Sequence, residues 1–378
     1  YLNVSNYDAE VIDYRCEHME NFYKTFTIKD KSVKQIIRGM LNFKNTYKKK
    51  REFYRFLDQN VRISTEVYDK FNIDKANLRY DKFITGSDQV FNFACTDFDK
   101  TYFLQFVKNC DAKLSYAASF GMKEIPDSYV NDYKSLLSTF SELSIRENAG
   151  QQIVKKLTGK DSELSVDPVF LLTAEEWEKL AKKPKLKNYI LIYKLNTSNL
   201  IFDFARKLSK LTGKKIVALN FDVVDQMKTP DIKGVYSASV EEFLGYIKYA
   251  DYVVTNSFHG TAFSVIFHKD FYVEALQKDF KPNDRVESLL APITNRAVYL
   301  VYQGICQKLG IKSEKGIIKD PHSFRRNVST SLVNSKGGNL LIASALLGHS
   351  PTVAEKNYLT GIDLNQAQAV ANQRYLLN

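Results

Sequence analysis

The 378-residue chain has four cysteines, at positions 16, 95, 110 and 306, and no two of them stand at metal-ligand spacing. That scarcity excludes the dense disulfide framework of small secreted domains, and the four are read as plain buried thiols. No segment approaches the run of about 20 apolar residues that crosses a bilayer, and nothing at the amino end resembles a secretory leader. A cytoplasmic location without a membrane span is therefore expected. Internal repeats, low-complexity linkers and an initiator methionine are also lacking. The chain opens at Tyr1 with "YLNVSNYDAEVIDYR", which reads as the middle of an opening domain, so a missing amino-terminal segment is expected.

The length exceeds what one small core accommodates and points to two or three domains. Twenty-three tyrosines and 25 phenylalanines favour sheets with packed cores over a disordered chain. The net charge of +11 is uneven: residues 1–290 carry 44 basic and 39 acidic side chains, residues 291–378 carry 10 and 4. The last part thus suits contact with a polyanion, in a salt-dependent and unspecific way. A second basic stretch, "KDKSVKQIIRGMLNFKNTYKKKREFYRFL" (29–57), sets Val33, Ile36, Ile37, Met40, Leu41 and Phe43 near helical spacing. The plain expectation is a solvated helix whose apolar face covers a core; the alternative is contact with an acidic glycan or a membrane surface.

From about 80 to 290, apolar runs alternate with helical patterns, as a layered α/β protein requires. "KFIT", "AKLSYAASF", "ELSIRE", "NYILIYKL", "KKIVAL" and "DYVVT" read as buried strands. "SNLIFDFARKLSKLTG" reads as a helix from a capping serine to Gly213, and "SVEEFLGYIKYA" as another with Val240, Phe243, Leu244 and Ile247 on one face. Strands alternating with helices are the grammar of a parallel sheet. After Leu290 the texture becomes helix-compatible throughout, which puts a boundary near 290.

Two stretches carry candidate chemistry. In "DYVVTNSFHGTAFSVIFHKDFYV" (251–273) a strand ends at Thr255, a polar turn with Asn256 and Ser257 follows, and a helix begins near Gly260. Such a turn lies at the carboxyl edge of a parallel sheet, where helix amides attract phosphate or carboxylate. His259 stands there beside Gly260, whose missing side chain lets a ligand approach, and a histidine so placed binds an anion or transfers a proton. A satisfied structural histidine is the plain alternative. "FITGSDQVFN" (83–92) repeats the arrangement, with Gly86, Ser87, Asp88 and Gln89 at a strand tip, although a turn before a capped helix gives the same letters.

"FITGSDQVFN", "YAASFG" (116–121), "LSIREN" (143–148), "VDPVFLL" (166–172) and "TNSFHGTAFSVIFHKDFYV", in this order and spacing, resemble the polysaccharide pyruvyl transferases. The resemblance covers most of residues 1–290. It implies two Rossmann-like halves facing across a cleft, of the glycosyltransferase-B kind, at 1–165 and 166–290. It implies transfer of a pyruvyl group from phosphoenolpyruvate to hydroxyls of a cell-surface or exopolysaccharide sugar. The partners are then a small-molecule donor and a glycan acceptor, with no cofactor beyond the donor and no metal. By the same resemblance His259 supplies the proton or holds the phosphate, and Asp88 orients or deprotonates an acceptor hydroxyl. Arg146 either grips the donor's carboxylate or phosphate with two prongs or serves in an ion pair. Gly86, Ser87, Gln89, Asn256, Ser257 and Gly260 shape the binding surface, and Asp167 before Pro168 fixes a turn between the halves. Two departures stand out. Phe258 occupies a place where some members have arginine, and the family's opening Asn/Gly-rich loop would precede Tyr1.

The tail carries a second resemblance. "PHSFRRNVSTSLVNSKGGNLLIASALLGHSPTVAEKNYL" (321–359) places His322 and Arg325 on one helical face, with His349 nine residues before Tyr358. An arginine and two histidines around a tyrosine suit attack on a phosphodiester; a helical bundle with solvated basic groups is the plain alternative. The pattern resembles the carboxyl-terminal part of tyrosine recombinases, the phage-integrase family. This implies a small all-α fragment at 291–378 in which Tyr358 is the nucleophile toward DNA. Arg325 would bind the scissile phosphate, and His322 and His349 would assist. The family's upstream arginine, hairpin lysine and DNA-clamping domain have no counterpart in the preceding residues, so weak DNA binding without efficient cleavage is expected.

Overall fold

The computed structural model of the protein describes residues 2–3, 7–22, 32–195, 198–274, 286 and 289. The expected all-α fragment, with His322, Arg325, His349 and Tyr358, lies outside the described residues, as does Cys306.

The first half comprises β1 (Val11–Tyr14), α1 (Glu17–Phe22), α2 (Val33–Asn60), β2 (Ile63–Tyr68), β3 (Phe83–Thr85), α3 (Phe93–Thr96), β4 (Lys113–Ser115), α4 (Val130–Ser138), β5 (Ser144–Ile145), α5 (Asn148–Thr158) and β6 (Glu163–Leu164). β1 pairs with β2, β3 with β4 and β5 with β6, each in parallel. Bridges at Leu114–Glu142 and Ala118–Ile145 carry the pairing from the second pair to the third. These strands are two to six residues long, so most of the cohesion here comes from aromatic packing. Phe91 stacks on Phe103 at 4.8 Å, Tyr133 meets Phe103 edge-on at 5.2 Å, and the fully buried Tyr133 hydroxyl donates to the Phe91 carbonyl at 2.7 Å. Three rings of this kind each bring a large apolar area out of water, and the phenol's one polar atom is satisfied.

The second half adds α6 (Ala174–Leu180), β7 (Tyr189–Tyr193), α7 (Asn199–Thr212), β8 (Lys215–Leu219), α8 (Val223–Lys228), β9 (Lys233–Val235), α9 (Val240–Lys248), β10 (Tyr252–Thr255), α10 (Phe258–Ile266) and β11 (Asp270–Val273). Five strands form one parallel sheet in the order β11-β10-β7-β8-β9. β7, "YILIY", is an unbroken apolar run because it is the central strand and is covered on both faces. The helices start where their caps dictate. The Ser198 hydroxyl accepts from the Leu200 amide at the head of α7, Gly213 ends that helix in the left-handed region, and Ser239 with Glu242 forms a capping box on α9. The α/β fold with parallel sheets is as expected. Its two hydrophobic cores share no residue: one is built from Tyr68 to Val154, the other from Tyr189 to Val286.

The chain leaves β7 toward β8 and β9, then returns to β10 on the other side. The carboxyl ends of β7 and β10 therefore flank the point where the strand order reverses, the crevice in which open parallel sheets hold their ligands.

Two expectations are corrected here. Cys16 is buried, but Cys95 and Cys110 are exposed, because they sit on one-turn helical segments at the surface rather than on core-facing strands. The helix expected within 29–57 forms as α2, yet none of its residues is buried. It meets the body through polar side chains on one side, leaving its apolar stripe outside.

Candidate active site

Three loops converge at the carboxyl ends of their strands: Ser87 and Asp88 follow β3, Arg146 follows β5, and Asp167 follows β6. The Arg146 guanidinium is almost wholly enclosed and bridges two carboxylates. Nη2 donates to Asp88 Oδ1 at 2.9 Å, and Nη1 donates to Asp167 Oδ2 in a very short contact. The ring of Phe258, from the start of α10 in the second half, lies 4.5 Å from the guanidinium carbon. A cation desolvated this thoroughly needs both counter-charges and the electron-rich ring face, and it has all three.

Asp167 is the hub. Its Oδ1 accepts from the Val169 amide at 3.1 Å, capping the short turn that begins at Pro168. Its Oδ2 is shared among Arg146, the Ser87 hydroxyl at 3.2 Å and, at 3.7 Å, Nε2 of His259. The last distance is an ion-pair contact and is long for a hydrogen bond. Burial pushes the Asp167 carboxyl up, but His259, Arg146 and the Val169 amide outweigh it and hold the group well below the usual carboxylate range. A carboxylate that stays ionised in a nearly closed setting stabilises an imidazolium and fixes the orientation of the ring.

His259 is the second residue of α10, with its side chain 37% exposed. It was expected in the turn before a helix starting near Gly260; the helix begins two residues earlier because the Ser257 hydroxyl caps it by accepting from the Gly260 amide at 3.3 Å. One nitrogen of the ring thus faces the buried carboxylate that follows β6, while part of the ring remains open to solvent. That arrangement can deliver a proton to a bound molecule and recover it.

The other expected residues divide by role. Asp88, 59% exposed and at a positive φ of 61°, presents its carboxylate beside Arg146 at the open edge of the cluster. Gly86 has a φ of 120°, and a side chain there would strike the Tyr116 carbonyl, so only glycine admits this turn. The Gln89 Oε1 accepts from Asn92 at 2.7 Å. Asn256 and Ser257 are buried and pin the turn: Asn256 Oδ1 accepts from the Leu195 amide at 2.8 Å, and the Ser257 amide donates to Thr255 Oγ1 at 3.0 Å. The reason given for Gly260 is corrected: its missing Cβ makes room for Thr255 and Tyr193 of the sheet beneath, not for a ligand. Both prongs of Arg146 are paired with aspartates.

A family model for polysaccharide pyruvyl transferase matches residues 1–275. The chain belongs to that family. No curated protein matches it. Among solved structures, the UDP-GlcNAc 2-epimerase of Methanocaldococcus jannaschii, in complex with UDP-GlcNAc and UDP, is similar at 12% identity and a TM-score of 0.36, covering 60% of this chain and 80% of its own. A putative UDP-N-acetylglucosamine 2-epimerase from Listeria monocytogenes is similar at 8% identity and a TM-score of 0.42, covering 89% and 87%. Residues 291–378 lie beyond the family match.

Within this family member, three features of the site escaped sequence reading. Asp167 was assigned a turn and does cap one, but its second oxygen joins Arg146, Ser87 and His259. Phe258, noted only as a missing arginine, supplies the ring face on which Arg146 rests. Glu147, next to Arg146, is fully buried, and its Oε1 accepts from the Ser119 hydroxyl and from the Phe120 and Gly121 amides at 2.8–3.1 Å, holding the 119–121 loop against β5. The signal was the pair of charged residues directly after a buried strand. Among the described residues no group of three or more His, Cys, Asp or Glu side chains could hold a metal ion, and no helix is long and apolar enough to cross a membrane.

Proposed function

We propose that the protein transfers the pyruvyl group of phosphoenolpyruvate to two hydroxyls of a sugar in a cell-surface or exopolysaccharide, at the cluster of His259, Asp167, Arg146 and Asp88. The observation that supports this most is the partly open imidazole held against a buried, ionised carboxylate at the carboxyl edge of a parallel sheet. His259 protonates the enol carbon C3 of the donor, which leaves C2 as an oxygen-stabilised cation. Asp88, exposed at the edge of the cluster, takes the proton from the first acceptor hydroxyl as its oxygen bonds to C2. The C2–O bond to phosphate then breaks as Asp88 passes its proton to the leaving oxygen, the second hydroxyl closes the ketal, and its proton reloads His259. Asp167 stabilises the imidazolium between turnovers, and Arg146 positions both aspartates rather than touching substrate. The two halves, at 1–165 and 166–290, present their strand ends to one another in the glycosyltransferase-B manner under this reading.

The test is phosphate release and pyruvylation of an acceptor glycan by His259→Ala. Loss of both with the fold retained is expected; full activity in the variant removes His259 from the mechanism. For residues 291–378 the sequence resemblance alone supports a second reading, DNA strand exchange through Tyr358 assisted by Arg325, His322 and His349. Covalent trapping on a nicked duplex should then depend on Tyr358, and absence of any trapped species at low salt refutes it.

A further inference from the structure

We propose that the outward face of α2 docks the protein in the plane of an anionic lipid surface. α2 is 28 residues long and carries eight basic side chains against two acidic ones. One side is committed to the body. Arg38 pairs with Asp222 and Asp225, Asn42 Oδ1 accepts from the Val223 amide at 3.0 Å, Lys49 donates to Asn220 at 3.1 Å, and near the end of the helix Arg55 reaches Glu241 at 2.9 Å from the edge of the stripe. At about 100° per residue, Val33, Ile37, Met40, Phe43, Tyr47 and Tyr54 fall within an arc of roughly 120° on the opposite side. All six are exposed, Val33 at 72% and Met40 at 60%. A stripe this long does not serve the core beneath, because it points away from it.

The charges around the stripe identify its partner. Lys44, Lys48, Lys50 and Arg51 border or interrupt it, with Lys50 over the Tyr54 ring at 5.7 Å and Arg51 beside Glu52. The centre of a protein–protein contact is depleted of lysine, whereas lysine stems lying along apolar side chains with their ammonium groups extended suit phosphate headgroups above an acyl layer. Tyr47 and Tyr54 add amphipathic rings of the type found at that depth. The helix is too polar to cross a bilayer, so it lies along one. Phosphodiester headgroups supply the complementary charge.

The test is co-sedimentation of the full chain with vesicles of phosphatidylcholine alone and of phosphatidylcholine mixed with phosphatidylglycerol. Each cation near an anionic surface contributes about fivefold, so binding to the mixed vesicles should be at least ~10-fold tighter and should weaken as salt is raised. The triple variant Ile37→Ser, Met40→Ser, Phe43→Ser should lose binding with an unchanged far-ultraviolet circular dichroism spectrum. Lys44→Glu with Lys48→Glu should lose the preference for anionic lipid. In Tyr47→Trp, read against the one native tryptophan at 177, emission should shift to the blue on mixed vesicles. No binding at low salt, unaltered binding by the triple variant, or a dimer that the triple variant dissolves while vesicles are ignored would overturn the proposal; the last would make a second copy the occupant. Turnover on a water-soluble acceptor should be unaffected by the triple variant, which separates this inference from the catalytic one.

Discussion

Replacing Asp167 with asparagine keeps the volume of the side chain and removes its charge. The Arg146 guanidinium, 1% exposed, then retains a single counter-charge, Asp88, which is itself mostly in water. Removing one partner of a buried ion pair costs about 3–5 kcal/mol; with Asp88 and the Phe258 ring still in place, the lower end, about 3 kcal/mol, is expected. For a domain of 150–250 residues that corresponds to a fall in midpoint of roughly 6–12 °C. Because Arg146 and Asp167 both touch residues of α10 in the second half, the earliest thermal or urea transition should move. The control is a cycle with Arg146→Met: the double variant should recover part of the loss, giving a coupling of about 2 kcal/mol or more. A loss under about 1 kcal/mol, or strictly additive effects, would show that the cluster is not the electrostatic unit described here.

Two further outcomes follow from the same geometry. The folded-state carboxyl of Asp167 is depressed, so its contribution is complete above the unfolded value of about 3.9 and drains away as pH falls below it, by at most about 1.4 kcal/mol per pH unit; urea midpoints measured down this acid limb should be flatter in Asp167→Asn. In Gly260→Ala the new methyl meets Thr255 and Tyr193, and Thr255 Oγ1 is held by the Tyr193 carbonyl at 2.7 Å and by the Ser257 amide. Overpacking of this kind costs about 1–3 kcal/mol and displaces His259, so stability and turnover should fall together; an unchanged midpoint would refute the close-packing reading.

The strands that were legible in the sequence are those with enough apolar residues to show a pattern. β7, β8 and β10 were read correctly because central parallel strands are apolar on both faces, and α7 and α9 because their capping serines and apolar spacing are local signals. β5, β6 and β9 are two or three residues long. β5 was legible because it lies in a longer apolar run; β6 and β9 have no such surroundings and leave no periodicity to read. The apolar spacing of α2 was legible too, but spacing alone does not say which way a helix faces.

The order of motifs from Gly86 to His259, the capped helices and the alternation of strand and helix are written in the chain itself, because each depends on neighbours within a few residues. The meeting of Asp88, Arg146, Asp167 and His259, and the outward turn of the α2 stripe, were decided only by tertiary structure. Those contacts join residues up to 92 positions apart, and whether a charge is buried or a methyl is wet depends on what the rest of the fold lays over it.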